Sequence, residues 1–469
     1  MATSTIPAVP GQTTERLVEL DKRASFHPYT QLAAHLKTGP TVIVSGEGVR
    51  VRDSHGREYI DAMAGLWCVN VGWGRTEIAD AIARQARELA FFHSFSSMAN
   101  EPAIALAARI ADLAPDPIGK IFFGCTGSDA NDTNVKLIWY YHNLIGKPRK
   151  KKLIARKRAY HGVTVASASL SGLPSMHRGF DLPLPQVLHV ETPHHWSRAR
   201  DGESEREFSA RLAREVEETI EREGPDTVAA FFAEPVMGAG GVIPPPEGYF
   251  EAIVPVLRRH DVLFVVDEVI CGFGRLGRWF GAQMYGLEPD LMTLAKGLTS
   301  GYQPLSASLV SERVWNVLLG AEKDGYFAHG FTYSAHPVCA AAALVNLDLI
   351  EQEDLVGNAE RTGAFFQREL RAAVVDHPLV GEVRGLGLIA AVELVADKAG
   401  KTAFPLEQKV APRVARIAWE EGLICRALPE SNALSFSPPL VITEDDCRQV
   451  VARFARALER FERELGGSG

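Results

Sequence analysis

Five short apolar runs constrain this chain more than any other feature. IFFGC (121–125), KLIAR (152–156), TVAAFFAE (227–234), VLFVVDE (262–268) and DLMTLAK (290–296) show no polar alternation. Strands covered on both faces look like this, because neither face meets water. Helical stretches lie between them. NVKLIWYYHNLIG keeps an apolar-rich helical pattern up to Gly146, and EREFSARLAREVEETIEREG pairs opposite charges at helical spacing before Gly224. Alternation of this kind predicts an α/β fold, a mostly parallel central sheet with helices on both faces, over residues 75–335.

The two ends read differently. VIVSGEGVRVRDSHGREYIDAMAG predicts a small antiparallel unit with a hairpin at Ser54-His55-Gly56. After Pro337 come an Ala-rich helix and the strand-like VRGLGLIAAVEL and ALSFSPPL, which suit a smaller α+β lobe. A chain of 469 residues exceeds what one core usually supports, so more than one unit is expected. The expected division is 1–74 as the N-terminal segment and part of the small domain, 75–335 as the large domain, and 336–469 as the C-terminal small domain. No long Pro/Gly/Ser linker separates these parts, so they should pack closely.

Composition removes several classes of function. A net charge of −8 offers no general attraction to nucleic acid or anionic membranes. The basic run GKPRKKKLIARKR (146–158) lacks interleaved aromatics and reads as a solvated edge. Six cysteines without C-x-x-C spacing argue against a disulfide framework and against zinc, and fit a reducing cytoplasm. MATSTIPAVPGQTTERL has no secretory pattern and reads as a loose leader. The longest uncharged stretch, 328–347, holds too many polar residues for a membrane span. His194-His195-Trp196 has no evident third metal ligand and reads as loop or surface.

Chemistry gathers where the strands end. LFVVDEVICGFGRLG contains a literal G-x-G-x-x-G at Gly272, Gly274 and Gly277. A dinucleotide turn needs its first glycine at the strand end and a helix opening on the third. Here four residues intervene after Asp267, and RWFGAQMYGLEPD is short and broken by glycine. Asp267 itself is the better clue, since ligands of open α/β sheets bind at the carboxyl ends of the strands. The next apolar run ends in Lys296. Desolvation makes the neutral amine of such a lysine more accessible, and it can form a Schiff base with an aldehyde. Pyridoxal phosphate wants both groups: a lysine for its aldehyde and an acid for its ring nitrogen. Each residue also has a plainer reading, the aspartate as a turn cap and the lysine as a snorkelling surface residue. GCTGSDAND puts Thr126, Gly127 and Ser128 between strand and helix, where backbone N–H groups could hold a phosphate or simply be capped. Tyr160-His161-Gly162 follows strand 152–156, where an aromatic ring could cover the pyridine or join the core.

Together with DAMAGLWCVNVGWGR (61–75), AYHGVT (159–164), AEPVMGAGGV (233–242), TLAKGLTSGYQPLSA (293–307), HGFTYSAHP (329–337) and LICRAL followed by LSFSPPLVIT, these motifs identify a resemblance over residues 26–457. The chain resembles the fold-type I pyridoxal-phosphate enzymes of the class III aminotransferase family, in its amine:pyruvate (ω-) transaminase branch. The resemblance implies that Lys296 binds the cofactor and shuttles a proton, and that Asp267 holds the ring nitrogen between Val269 and Tyr160, with His161 beside the cofactor. It also implies that Gly127 and Ser128 bind the phosphate, helped by Thr332 of a neighbouring subunit, so that a homodimer with shared sites is expected. Dimers could pair into tetramers. Trp67, Phe95 and Tyr160 would line the substrate pocket, and Arg426 would bind the keto-acid carboxylate. Two departures stand out: the family's usual glutamate is Asp129 here, and Cys125-Thr126 precedes Gly127. Both keep the features of a helix N-terminus. Met98 stands where some relatives carry an arginine, which favours an apolar pocket. The implied reaction is ping-pong transfer of an amino group from an amine to pyruvate or another keto acid. Alternatives are an aminomutase, a transaminase dedicated to a diamine, GABA or β-alanine, and, more remotely, an NAD-dependent oxidoreductase.

Overall fold

A computed structural model describes residues 13–321 and 326–466. Residues 1–12 of the leader expected at the start lie outside these residues, and its last four open the helix Thr14–Ala24. Seven strands form the large sheet, in spatial order Ile118–Gly124, Ser306–Ser311, Leu291–Leu294, Leu263–Asp267, Val228–Ala233, Lys152–Arg156 and Val187–Val190. Ser306–Ser311 runs antiparallel to both of its neighbours, and the remaining pairings are parallel. Every residue of Val228–Ala233 and Leu263–Asp267 is buried, the doubly covered environment that their unalternating sequences require.

Two strands of this sheet carry weak signals. Val187–Val190 is a four-residue edge strand with a histidine in it. Ser306–Ser311 holds three serines yet is buried throughout. Its hydroxyls are satisfied locally: Ser308 Oγ donates to the Ala130 carbonyl at 2.8 Å and Ser306 Oγ to Asp129 Oδ1 at 2.9 Å.

The chain ends meet. Ile43–Glu47, Arg50–Asp53 and Glu58–Asp61 form an antiparallel sheet, and Leu423–Ile424 joins its edge parallel to Glu58–Asp61. A third sheet orders Val380–Leu386, Ile389–Asp397, Ala433–Phe436 and Arg426–Ala427. Buried Arg275 bolts these parts to the large sheet, donating to the Leu388 carbonyl at 3.0 Å and to Asn70 Oδ1 at 2.8 Å.

The basic run is not simply a solvated edge. Arg149 is exposed, but Lys150 is buried, and its ammonium donates to the carbonyls of Val228, His260 and Asp261 at 2.8–2.9 Å. Burial pushes its pKa down to about 8. His194 is not a surface residue either. It is buried, with Nε2 at 2.8 Å from Glu382 Oε2 and Nδ1 at 2.8 Å from Ser197 Oγ. A buried imidazole needs partners on both nitrogens, and a strand distant in sequence supplies one of them. Among the described residues no helix is long and apolar enough to cross a membrane, and all six cysteines are free thiols.

Candidate active site

The site opens at the carboxyl ends of the central strands. Asp267 closes the strand Leu263–Asp267 and is buried. Its Oδ2 accepts from Asn131 Nδ2 and from His161 Nδ1, both at 2.8 Å, and its Oδ1 accepts from the Val269 N–H at 3.1 Å. A carboxylate only accepts, so Nδ1 is the protonated nitrogen of His161. Burial works to raise the Asp267 pKa, but the hydrogen bond and charge of His161, with Asn131 and Val269, outweigh it and hold the group below its usual range. Asn131 cannot turn away, because its Nδ2 also donates to the His161 carbonyl at 2.7 Å and its Oδ1 accepts from Thr293 Oγ1 at 2.7 Å.

Lys296 begins a short 3-10 turn just beyond the neighbouring strand Leu291–Leu294. Its φ of 46° lies in the left-handed region, a strain of about 1–3 kcal/mol that surrounding structure must sustain. Asn346 does so from the helix Pro337–Gln352, donating to the carbonyls of Gly297 at 2.9 Å and Leu298 at 3.0 Å. Gly297 is pressed against Asn70, where a Cβ would come within 2.5 Å of Nδ2. Burial lowers the pKa of the Lys296 ammonium, and Cys68, Asp267 and Glu234 oppose that shift.

Opposite lies the N-terminus of the helix Gly127–Leu144. Thr126 Oγ1 accepts from the Asp129 N–H at 3.2 Å, while Asp129 Oδ2 accepts from the N–H groups of Cys125 and Thr126 at 3.0 Å. Aspartate thus completes the capping box that glutamate usually forms. The N–H groups of Gly127 and Ser128 begin the helix and have no intrahelical acceptor.

Gly127, Ser128, Tyr160, His161, Asp267, Val269 and Lys296 line one cavity of about 500 Å³. A second cavity of about 630 Å³ adjoins it and shares Leu66, Tyr160 and Lys296. Trp67 and Arg426 line this one, together with mostly apolar side chains, and no carboxylate is among the described residues that line it. The Arg426 guanidinium lies 4.9 Å from the Trp67 ring centroid. Burial lowers its pKa, with Tyr160 and Tyr29 opposing.

Phe95 and Thr332 do not join either lining. Both are exposed in the single chain, and Phe95 packs beside Gly330, where a Cβ would meet its ring at 2.9 Å. Met98 is exposed as well. Three further residues belong to the site. Asn131 lies in GCTGSDAND, early in the helix Gly127–Leu144, where sequence alone does not separate a buried amide from a solvated one. Glu234 directly follows the apolar strand Val228–Ala233; its Oε1 accepts from the Tyr160 N–H at 3.2 Å and its Oε2 from the Gly238 N–H at 2.7 Å. Tyr29 places its hydroxyl 3.5 Å from that of Tyr160 and 3.2 Å from Met176 Sδ, and nothing local marks it.

The glycine run makes no dinucleotide turn. The strand is followed by turns in which Phe273, Gly274 and Gly277 take φ of 59°, 96° and 84°, and the next helix, Gly281–Met284, has four residues and does not open on Gly277. The residues that are present fit pyridoxal phosphate: an ionised buried acid, an amine shifted toward its neutral form and free helix N–H groups share one cavity. Gly162 lets the backbone come close to the helix terminus, because a Cβ there would stand 2.6 Å from Ser128 Oγ.

Comparison with known proteins agrees. The family described as Aminotransferase class-III matches residues 32–458. An uncharacterised aminotransferase of Sinorhizobium fredii is 51% identical over 96% of this chain and 97% of its own length. The diaminobutyrate–2-oxoglutarate transaminase of Halomonas elongata is 48% identical over 97% of this chain and 98% of its own. The crystal structure of the omega transaminase from Pseudomonas jessenii in complex with PMP superimposes with a TM-score of 0.94 at 48% identity, covering 97% of this chain and 100% of that one.

Proposed function

The chain belongs to the class-III aminotransferase family, which uses pyridoxal phosphate, and we propose that it moves an amino group from an amine without an α-carboxylate to pyruvate or a similar keto acid. The observation that carries this reading is that Lys296 lines both cavities, so one amine can serve the cofactor on one side and the substrate on the other.

When bound, pyridoxal phosphate supplies an aldehyde for the amine and a ring that withdraws electrons from the bond being broken. The Lys296 amine would hold the cofactor through its aldehyde and would carry the proton to and from the substrate carbon; its lowered pKa favours the neutral form this requires. Asp267 keeps a proton on the ring nitrogen, and His161 and Asn131 keep Asp267 ionised. Val269 and Tyr160, which line the same cavity, would pack against the ring. The Gly127 and Ser128 N–H groups and the Ser128 hydroxyl bind the phosphate at the helix terminus. Arg426 takes the keto-acid carboxylate in a bidentate pair, and withdraws along Trp67 when an apolar amine enters.

Among the described residues this chain contributes no acid to the lining of the second cavity, which supports an apolar amine over a diamine, whose second ammonium would find no partner from this chain. We further propose a homodimer in which Thr332 of the partner subunit completes the phosphate site and Phe95 of the partner subunit completes the substrate pocket. The exposure of both residues in the single chain supports this.

Borohydride reduction of the cofactor-loaded protein, followed by peptide mass mapping, should place the pyridoxyl tag on Lys296. An amine should bleach the visible band and pyruvate should restore it. A tag on another lysine, or a band that no amine bleaches, overturns the proposal.

A further inference from the structure

We propose that Asp21, His27 and His35 form a zinc site that clasps the N-terminal arm beside the substrate cavity. This inference stands independently of the transaminase reading. Asp21 comes from the helix Thr14–Ala24, His35 from the helix Leu32–Thr38, and His27 from the segment between them. Both histidines turn the same ring nitrogen toward one carboxylate: His27 Nε2 lies 2.6 Å from Asp21 Oδ2 and His35 Nε2 lies 2.9 Å from Asp21 Oδ1. The two rings are 4.4 Å apart, and the three donor atoms lie within 4.8 Å of one another.

Two imidazoles and one carboxylate are a donor set that zinc takes with water in the fourth position. Zinc bonds of about 2.0–2.2 Å in tetrahedral array separate neighbouring donors by about 3.3–3.5 Å, so small rotations would seat the ion here. His35 and Asp21 are largely covered, with side chains 10% and 18% exposed, whereas His27 is 34% exposed and leaves an entry path and room for the water.

The location gives the site a consequence. Pro28 and Tyr29 follow His27 directly and line the substrate cavity, where the Tyr29 hydroxyl meets Tyr160 and Met176. Ligands on both flanks of that segment would hold Tyr29 against the cavity mouth. The ion would therefore act on the arm and leave the chemistry at Lys296 alone.

Tag-free, cofactor-loaded protein should be titrated with zinc by calorimetry, with equilibrium dialysis giving the stoichiometry. One zinc per chain is expected, with a raised melting temperature. His27→Ala and His35→Ala should each weaken binding at least about tenfold, since disturbing even an outer partner of a ligand costs that much. Should either variant fold poorly, histidine modification by diethyl pyrocarbonate on the unaltered protein keeps the test decisive: zinc should protect His27 and His35 selectively. Equal zinc affinity in protein and variants, or modification of His27 and His35 at the same rate with and without zinc, overturns the site.

Discussion

Replacing Arg426 with alanine separates recognition of a carboxylate from everything else the site does. The guanidinium rests 4.9 Å from the Trp67 centroid, half-buried in a cavity to which the described residues contribute no acid, so a keto acid would bring it a carboxylate that these residues do not supply. Two charge-assisted hydrogen bonds at about 1.5 kcal/mol each, the low end because water still reaches the group, amount to about 3 kcal/mol. That corresponds to about two decades in rate constant. The contact with Trp67, about 0.5–1 kcal/mol, disappears too, but it disappears for every acceptor. The ratio between two acceptors therefore isolates the carboxylate. Enzyme converted to its aminated form by an amine is mixed rapidly with pyruvate or with a simple aldehyde of similar size, and the returning visible absorbance gives the two second-order rate constants. Arg426→Ala should slow pyruvate about 100-fold and the aldehyde by no more than about fivefold. Equal losses for the two acceptors would remove Arg426 from the site. A loss below about threefold for pyruvate would show that the bidentate pair does not form.

Lys296→Ala should still bind cofactor but give no borohydride-stable adduct and no turnover, measured by mass and by amine-to-pyruvate assay; near-normal activity would refute its role. Gly162→Ala would put a Cβ 2.5 Å from Ser167 Oγ and 2.8 Å from Ser128 Cα at a φ of 131°, so both melting temperature and cofactor affinity should drop, by about 1–3 kcal/mol, in thermal melts with and without cofactor. Glu268 predicts a pH dependence. Burial pushes its pKa up to about 7, against the N–H groups of Ala282 and Gly281, from an ordinary value of 4.5. The folded chain thus keeps a proton that the unfolded chain has released. Its contribution is fully present below the ordinary value and is lost as pH rises through about 7, at an order of 3 kcal/mol. Urea melts at about pH 5 and about pH 8 should show a smaller difference for Glu268→Gln than for the natural chain, and identical differences would rule the group out.

Asp267 and Lys296 were legible because a charge at the end of a fully apolar strand is costly and so announces a purpose. Glu234 obeys the same logic one strand over and could have been found the same way. Asn131 could not: a polar residue early in a helix looks like a solvent-facing one, and only the approach of the strand Leu263–Asp267 shows that it faces a carboxylate. The strand Ser306–Ser311 was hidden for the converse reason, since its serines look wet but find acceptors inside the protein. Tyr29 lies 131 positions from Tyr160, and no periodicity reaches across that distance.

Phe95 and Thr332 mark a different limit. Their motifs name them as site residues, yet in the single chain both face outward, and Phe95 is 45% exposed. Exposed aromatic and apolar side chains surround them, among them Phe91, Phe92, Met98 and Tyr333, with Phe91 and Tyr333 already in edge contact at 5.7 Å. A surface of this kind is costly in water and is normally covered. The same covering event would bring Thr332 to a phosphate and Phe95 to a substrate pocket. In the proposed dimer, burial of the patch and completion of the site would be one process, and cofactor affinity would follow assembly.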